Sequence, residues 1–430
     1  MSVILERVRA AAGAATEYQE QQGAEDTEAR RITDIMERFL RAKKRVIYGG
    51  AAINAQLPAA DKFYDPRLYL PDYDFMTPSP IQDCEDLMAE FHADGFTEVE
   101  SKLGIHEGTY KVFVNFRSAA DITFIPLDIY RRILKDCRIV NRLFYASPNW
   151  LRMNMYLELS RPAGMVGRWE KVYQRLLLLN KAYPLHACNP KTHRPVRQSD
   201  LQQQIVEEGV AEGAIFLTAR GLQEKQEMEP IVLMMSDKSA ALASSLRKLG
   251  LTETRFEAQG ELLPARSEFR SKETLSKETL SKETLSKETL SKETLVCVVF
   301  ATVACHAYTS FPTTTTTIRI ASLDLLIQMY YALYFMELRE YLPFSILCTI
   351  QRLIDLEANQ LADISVPLEV ALPKTCVGHQ PTMPELKRAH RARLLEYSKK
   401  KQSRKNQTKQ KKATRKTTRA TKQPIVTLTQ

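Results

Sequence analysis

The sequence predicts an α+β protein built on a mixed sheet with flanking helices. Three observations carry that expectation. A short apolar strand, Arg45–Tyr48, runs directly into Gly49-Gly50 and then a helix. Asp72-Tyr73-Asp74 opens a second strand that leads into a well-signalled helix. Val112, Val114 and Phe116 alternate along a third, and Asp121 begins a fourth.

The chain has 430 residues, which suits two compact domains with appendages. Hydrophobic residues make up 44% and charged residues 26%, enough to bury a core. Glu6 and Arg7 interrupt the apolar start, so it does not read as a signal peptide. No apolar run is long enough to span a bilayer, and no membrane partner is expected. Seven scattered cysteines without a C-x-x-C pair fit a reducing compartment rather than a disulfide framework. His186, Cys188 and His193 match no zinc spacing.

Residues 1–40 read as a helical segment, with Ile32, Ile35, Met36 and Phe39 on one face. Ala51–Leu57 reads as a helix, 59–71 as a loop, and Asp72–Met76 as a strand. Ser79, Pro80 and Gln82 predict a capped helix that Gly95 ends. Thr109–Arg117 reads as a strand with Phe116 on its buried side, Ser118 and its neighbours as the turn, and Asp121–Ile125 as the next strand. Met165–Leu179 and the strongly apolar Ile320–Arg339 read as helices. The expected boundaries are 41–185 for a first domain, 186–385 for a second α+β domain, and 386–430 for a disordered tail. Five copies of SKETL fill Ser271–Leu295, and a period of five suits neither helix nor strand. That array reads as a solvated, disordered or loosely helical insertion, and the threonine run 313–317 as a second low-complexity run.

The chemistry follows from the order of the motifs. Glycines at a helix entrance let backbone approach a phosphate, which the free N–H groups and the positive helix end then hold. Residues i and i+2 of a strand share a face, so Asp72 and Asp74 project together. Adjacent carboxylates repel unless a hard divalent cation bridges them, and magnesium takes carboxylate and phosphate oxygens. Asp121, from a neighbouring strand, would complete a two-metal site for in-line attack of a hydroxyl on a phosphate. Asp128 is the rival third carboxylate. Lys111 either touches nucleotide phosphates as a point charge or is an exposed strand lysine. His106 is either a substrate contact or a plain loop residue.

The runs VIYGGAAIN, PDYDF, HEGTYKVFVN and ADITFIP, with the later ACHAYT and IRIASLDLLIQMYYALYF, resemble one known family. It comprises the poly(A) polymerase catalytic subunits of large nucleocytoplasmic DNA viruses, with poxvirus, mimivirus-like and phycodnavirus-like members, within the polymerase-beta-like nucleotidyltransferase superfamily. The similarity covers about residues 40–185 and 300–345. It implies a catalytic nucleotidyltransferase domain followed by a second, degenerate domain of similar fold. It implies Asp72, Asp74 and Asp121 as catalytic metal ligands, Gly49 and Gly50 as the triphosphate cradle, and Asn54 facing the same site. It implies two Mg²⁺ or Mn²⁺ ions, ATP as substrate, an RNA 3′ end as acceptor, and either a homodimer or a separate processivity subunit. The activity it implies is that of a polynucleotide adenylyltransferase. Another terminal transferase, such as a uridylyltransferase, and a noncatalytic RNA-binding subunit are the alternatives. The implied location is the virion or the infected cytoplasm, with a nuclear route through the basic tail.

That tail holds 16 of the chain's Lys and Arg residues between Lys387 and Lys422, against one acid, Glu396. The remainder carries a net charge of −5, so the overall +10 belongs to the tail. A polycation of this kind attracts RNA with steep salt dependence, or serves as an address signal.

Overall fold

The computed structural model describes residues 2–64, 71–104, 108–185, 196–197, 200–218, 227–228, 231–260, 262–272, 293–312, 316–338, 341, 346–389, 391–392, 394–396 and 398–399. One large unit holds residues 1–104 and 108–380, and a small one holds 381–430 together with 105–107. His106, the His186–Cys188–His193 group and most of the SKETL array lie outside the described residues.

The large unit opens with α1 (Ser2–Glu25) and α2 (Thr27–Lys43). Asp26 caps α2 by accepting from the backbone of Glu28 and Ala29 at 2.8 and 3.3 Å. Ile32, Ile35, Met36 and Phe39 form its buried face, as their spacing requires. Next come β1 (Val46–Tyr48), α3 (Gly49–Gln56), a 3₁₀ turn at Ala59–Asp61, β2 (Tyr73–Thr77) and α4 (Pro80–Ala93). The helix α3 starts at Gly49, two residues earlier than its apolar pattern suggests. The expected capping box on α4 is not formed. Ser79 donates its own N–H to Thr77 Oγ1 at 3.1 Å, and Gln82 turns away to Asp86.

The hairpin that follows corrects the sequence reading. After β3 (Val99–Leu103), β4 runs only from Thr109 to Val114, and β5 spans Arg117–Phe124. Asn115 and Phe116 make the turn, both at positive φ (47° and 65°). Two left-handed residues match the twist of the flanking strands. Phe116 therefore points to solvent, 84% exposed, and not into the core. Then come α5 (Leu127–Asp136), β6 (Arg138–Val140), β7 (Leu143–Tyr145), α6 (Pro148–Leu159) and α7 (Trp169–Ala182). The first sheet runs β3-β4-β5-β2-β1-β7-β6.

The second half repeats this plan. It contains β8 (Val196–Arg197), α8 (Asp200–Ala211), β9 (Ile215–Phe216), β10 (Glu227–Met228), β11 (Val232–Ser236), α9 (Ser239–Lys248) and β12 (Thr252–Phe256). It continues with β13 (Arg266–Lys272), β14 (Glu293–Ala301), β15 (His306–Pro312), β16 (Thr317–Ala321), α10 (Leu323–Phe335), α11 (Ile346–Ala362), α12 (Leu368–Ala371) and β17 (Cys376–Val377). Its sheet runs β12-β13-β14-β11-β9-β16-β15-β17, and β8 pairs with β10 separately. The order and directions of its first seven strands reproduce those of the first sheet, with β11 parallel to β14 as β2 is to β5. The apolar stretch 320–339 thus begins as strand β16, and Ser322 caps the helix behind it. The SKETL array joins two paired strands: Ser271 and Lys272 end β13, and Glu293, Thr294 and Leu295 begin β14.

The copies share one core. Trp150 on α6 meets Phe335 on α10 edge-on, with centroids 4.9 Å apart. Tyr156 donates to Glu357 on α11 at 2.8 Å, and Asp324 on α10 lies beside them, fully buried. Cys305 and Cys376, brought together by the β15–β17 pairing, are joined as a disulfide. This departs from the expectation of reduced thiols throughout; Cys84, Cys137 and Cys297 are free. In the small unit, residues 383–389, 391–392, 394–396 and 398–399 are helical, although the whole tail reads as disordered from sequence. Glu385 receives the N–H and hydroxyl of Thr382 at this helix's start.

Burial pushes the Asp324 carboxyl up to about 6 and raises its neighbour Glu357 as well, so the pair keeps a proton. A carboxyl raised on folding stabilises most below its unfolded range, and that contribution is lost as pH rises from about 4 through about 6. Asp324→Asn is therefore expected to melt above the wild type at pH 8, with the gap closing towards pH 4. Calorimetric scans across that range test it.

Candidate active site

The parallel pairing of β2 with β5 places Asp74 directly beside Asp121. Asp72 lies one residue ahead of β2, two before Asp74, at the rim of the same sheet edge. On the other side of β2, the antiparallel β1 puts Tyr48 opposite Asp74, so the chain enters α3 over that carboxylate. Gly49 takes φ +69°, and a Cβ there would collide with the Asp74 carboxylate. Only glycine meets both conditions, a left-handed backbone and a close carboxylate. The N-terminus of α3 has no side-chain cap, and its first residues border the aspartates.

Charge is concentrated here. Burial first, and then the neighbouring charges of Asp72 and Asp121, raise the Asp74 carboxyl to about 7, with Lys111 and Arg168 opposing. Asp72 is raised by burial and then by Asp121, with Lys111 opposing. Lys111 lies opposite Asp121 in the β4–β5 ladder and its Nζ bridges both carboxylate oxygens. Beside them, Thr123 Oγ1 lies 2.8 Å from both the Tyr48 hydroxyl and Thr109 Oγ1, tying β1, β4 and β5 together.

The donor set, three carboxylates facing one ammonium group, fits a hard divalent cation in its chemistry. Among the described residues no three His, Cys, Asp or Glu side chains already converge as a cage. An ion here would draw Asp121 from Lys111.

Asp72, Asp74, Asp121, Gly49, Gly50 and Lys111 are thus brought together on the adjoining interior strands β4, β5, β2 and β1 and at the start of α3. Asn54 is used differently from the sequence expectation. Its Oδ1 accepts from the backbone of Phe63 and Tyr64, both at 2.9 Å, and its Nδ2 donates to Tyr64 O at 3.1 Å. Asn54 pins the loop beside the cradle. Asp128 is exposed in the first turn of α5, outside the carboxylate cluster. Two arginines that no motif marks also reach this region from α7 and the turn before it: Arg168, paired with Glu158 at 3.1 Å, and Arg175, packed on Gly50. Both reach it through contacts distant in sequence, so no local pattern marked them.

The second sheet has lost the cluster. Ser236 Oγ accepts from Lys238 N at 3.0 Å just as Thr77 accepts from Ser79, which sets the correspondence between β11 and β2. The position of Asp74 is then Leu233, its partner across the parallel pair is Val298, and the position of Asp72 is Ile231. All three are buried and apolar, so only the first copy can carry the proposed chemistry.

Residues 34–165 match a family model described as "Poly(A) polymerase catalytic subunit". A protein of Acanthamoeba polyphaga mimivirus named for that subunit is 31% identical over 182 residues, covering 41% of this chain and 31% of the relative. One from African swine fever virus, named likewise, is 27% identical over 169 residues, covering 37% of this chain and 34% of the relative. The matches span about a third of the length of these relatives. Among solved structures, the fold is similar to the Megavirus polyadenylate synthase, with a TM-score of 0.72, 19% identity, and coverage of 93% of this chain and 84% of that one.

Gly49→Ala is expected to destabilise the protein by about 1–2 kcal/mol for its left-handed backbone and to weaken Mn²⁺ binding by displacing Asp74. Urea denaturation and calorimetric titration with Mn²⁺ measure the two effects.

Proposed function

We propose, from a carboxylate centre set in a segment that matches the poly(A) polymerase catalytic-subunit family model, that the protein adds AMP from ATP to RNA 3′ ends without a template. The observation that carries this reading is the side-by-side placement of Asp74 and Asp121, with Asp72, under the glycine entrance of α3. No side-chain nucleophile is required. The RNA 3′ hydroxyl forms a bond to the α-phosphorus of ATP, the bond to pyrophosphate breaks in line, and the hydroxyl proton passes to solvent.

Asp72, Asp74 and Asp121 are the residues that would hold two Mg²⁺ or Mn²⁺ ions, which when bound supply activation of the hydroxyl and neutralisation of the triphosphate. Gly49 and Gly50 let the triphosphate approach the backbone, and the α3 N-terminus attracts its charge. Lys111 holds Asp121 against its neighbours and would give up that carboxylate to a bound ion. Tyr48, Thr109 and Thr123 keep the three strands in register behind the carboxylates.

The RNA acceptor also has a counterpart in the basic tail, whose cations would attract the polyanion. Selectivity for adenine rests on the family match. A separate partner subunit, or a second copy of the chain, would extend processivity.

Primer extension of a labelled RNA with each nucleotide tests the reading. ATP alone is expected to give ladders, with Asp74→Asn and Asp121→Asn reduced by at least about 100-fold. Extension with UTP instead would keep the mechanism and overturn the substrate. Removing residues 400–430 deletes 11 Lys and Arg residues. That truncation is expected to flatten the salt dependence of RNA binding while leaving extension of a saturating primer intact, which filter binding against KCl and the same gel would show.

A further inference from the structure

Among the described residues, one cation at the cradle has no acidic partner. Arg175 projects from α7 onto the first turn of α3, where its guanidinium would lie 3.0–3.3 Å from a Cβ on Gly50. It stacks over Phe63 at 4.7 Å and Tyr64 at 5.5 Å, and its Nη2 donates to the Tyr64 hydroxyl at 2.6 Å. Asn54 fixes the backbone of those two aromatic residues. The far end of α7 is fixed too. Arg152, buried in α6, donates to Asn180 Oδ1 at 2.7 Å and to the carbonyls of Leu179 and Tyr183.

Among the described residues no carboxylate pairs with Arg175, and the Tyr64 hydroxyl is the one acceptor its five N–H donors meet. This contrasts with Arg168 on the preceding turn, which Glu158 neutralises. A guanidinium held rigidly against the positive end of a helix is two like charges facing each other. Such an arrangement is relieved when an anion contacts both, and a planar fork of donors matches phosphate oxygens. The Asp74 carboxylate lies on the Gly49 side of the entrance and the Arg175 guanidinium on the Gly50 side, so an anion reaching the entrance on that side meets the guanidinium.

We propose that Arg175 binds the β- and γ-phosphates of the incoming nucleotide, held ready by Phe63, Tyr64 and Asn54, and that pyrophosphate meets the same residue on leaving. This rests on the nucleotidyl-transfer reading and deepens it. The α-phosphate stays with the aspartates, and Arg175 distinguishes a triphosphate from a monophosphate.

Equilibrium binding of Mn²⁺–ATP, Mn²⁺–pyrophosphate and AMP to the full-length protein tests it, with RNA affinity measured beside them. Arg175→Ala is expected to lose roughly 10- to 100-fold in affinity for ATP and pyrophosphate, with AMP and RNA affinities unchanged. Arg175→Lys, which keeps the charge without the fork, should fall between. Tyr64→Phe, which removes the hydroxyl anchor and keeps the ring, should lose about 3-fold for ATP. Equal loss of ATP and AMP would make Arg175 a strut of the loop and overturn the proposal. Loss of RNA affinity with ATP unaffected would assign it to the acceptor strand and overturn it as well. Wild-type protein that binds no nucleotide would sink the nucleotidyl-transfer reading itself. Wild-type binding that survives unchanged in Arg175→Ala would sink this proposal alone.

Discussion

The first half of the molecule is organised around mutual repulsion. Parallel pairing of β2 with β5 fixes Asp74 beside Asp121, and burial makes that proximity costlier. Left alone, such charges would push the strands apart. The fold answers with a dry core behind them, Phe75, Val112, Ala120 and Ile122 being buried completely or nearly so, and with Lys111 on the next strand. The strain is confined to the place where β2 and β5 meet the entrance of α3.

The duplicated plan shows what the fold does without that constraint. Leu233, Val298 and Ile231 stand where the carboxylates would be, and β11 is buried along its whole length. Without the carboxylate cluster, the second sheet serves as packing. Through α10 and α11 it braces α6 and, by way of Arg152 and Asn180, the end of α7. The second copy thus acts on the first as a scaffold, by fixing the helix that brings Arg175 to Gly50.

Much of the site was legible in the sequence because its logic is local. Asp72 and Asp74 share a face through strand periodicity, and Gly49 announces a backbone that other residues cannot adopt. The failures were of two kinds. Phe116 fitted an alternating pattern, but two left-handed turn residues outranked hydrophobicity, and no glycine marked them. Asn54 and Arg175 depend on contacts across about 10 and 110 residues of chain, which no spacing rule encodes. The match between the two halves was equally hidden, since Leu233 and Val298 correspond to aspartates only through strand register.

The position of the SKETL tract has a consequence of another sort. Its outer residues close the β13–β14 ladder at Lys272 opposite Glu293, and the rest of the tract connects them. Gaining or losing one five-residue copy changes neither that pairing nor any side chain's face, because the register is set by the strands on either side. The closure entropy of a loop grows only with the logarithm of its length, so one more copy costs about 0.2 kcal/mol. Repetitive coding sequence is prone to slippage during replication, and here each slip of a whole copy is nearly silent to folding. The hairpin is a place where the length of this chain can drift among descendants while the scaffold stays the same.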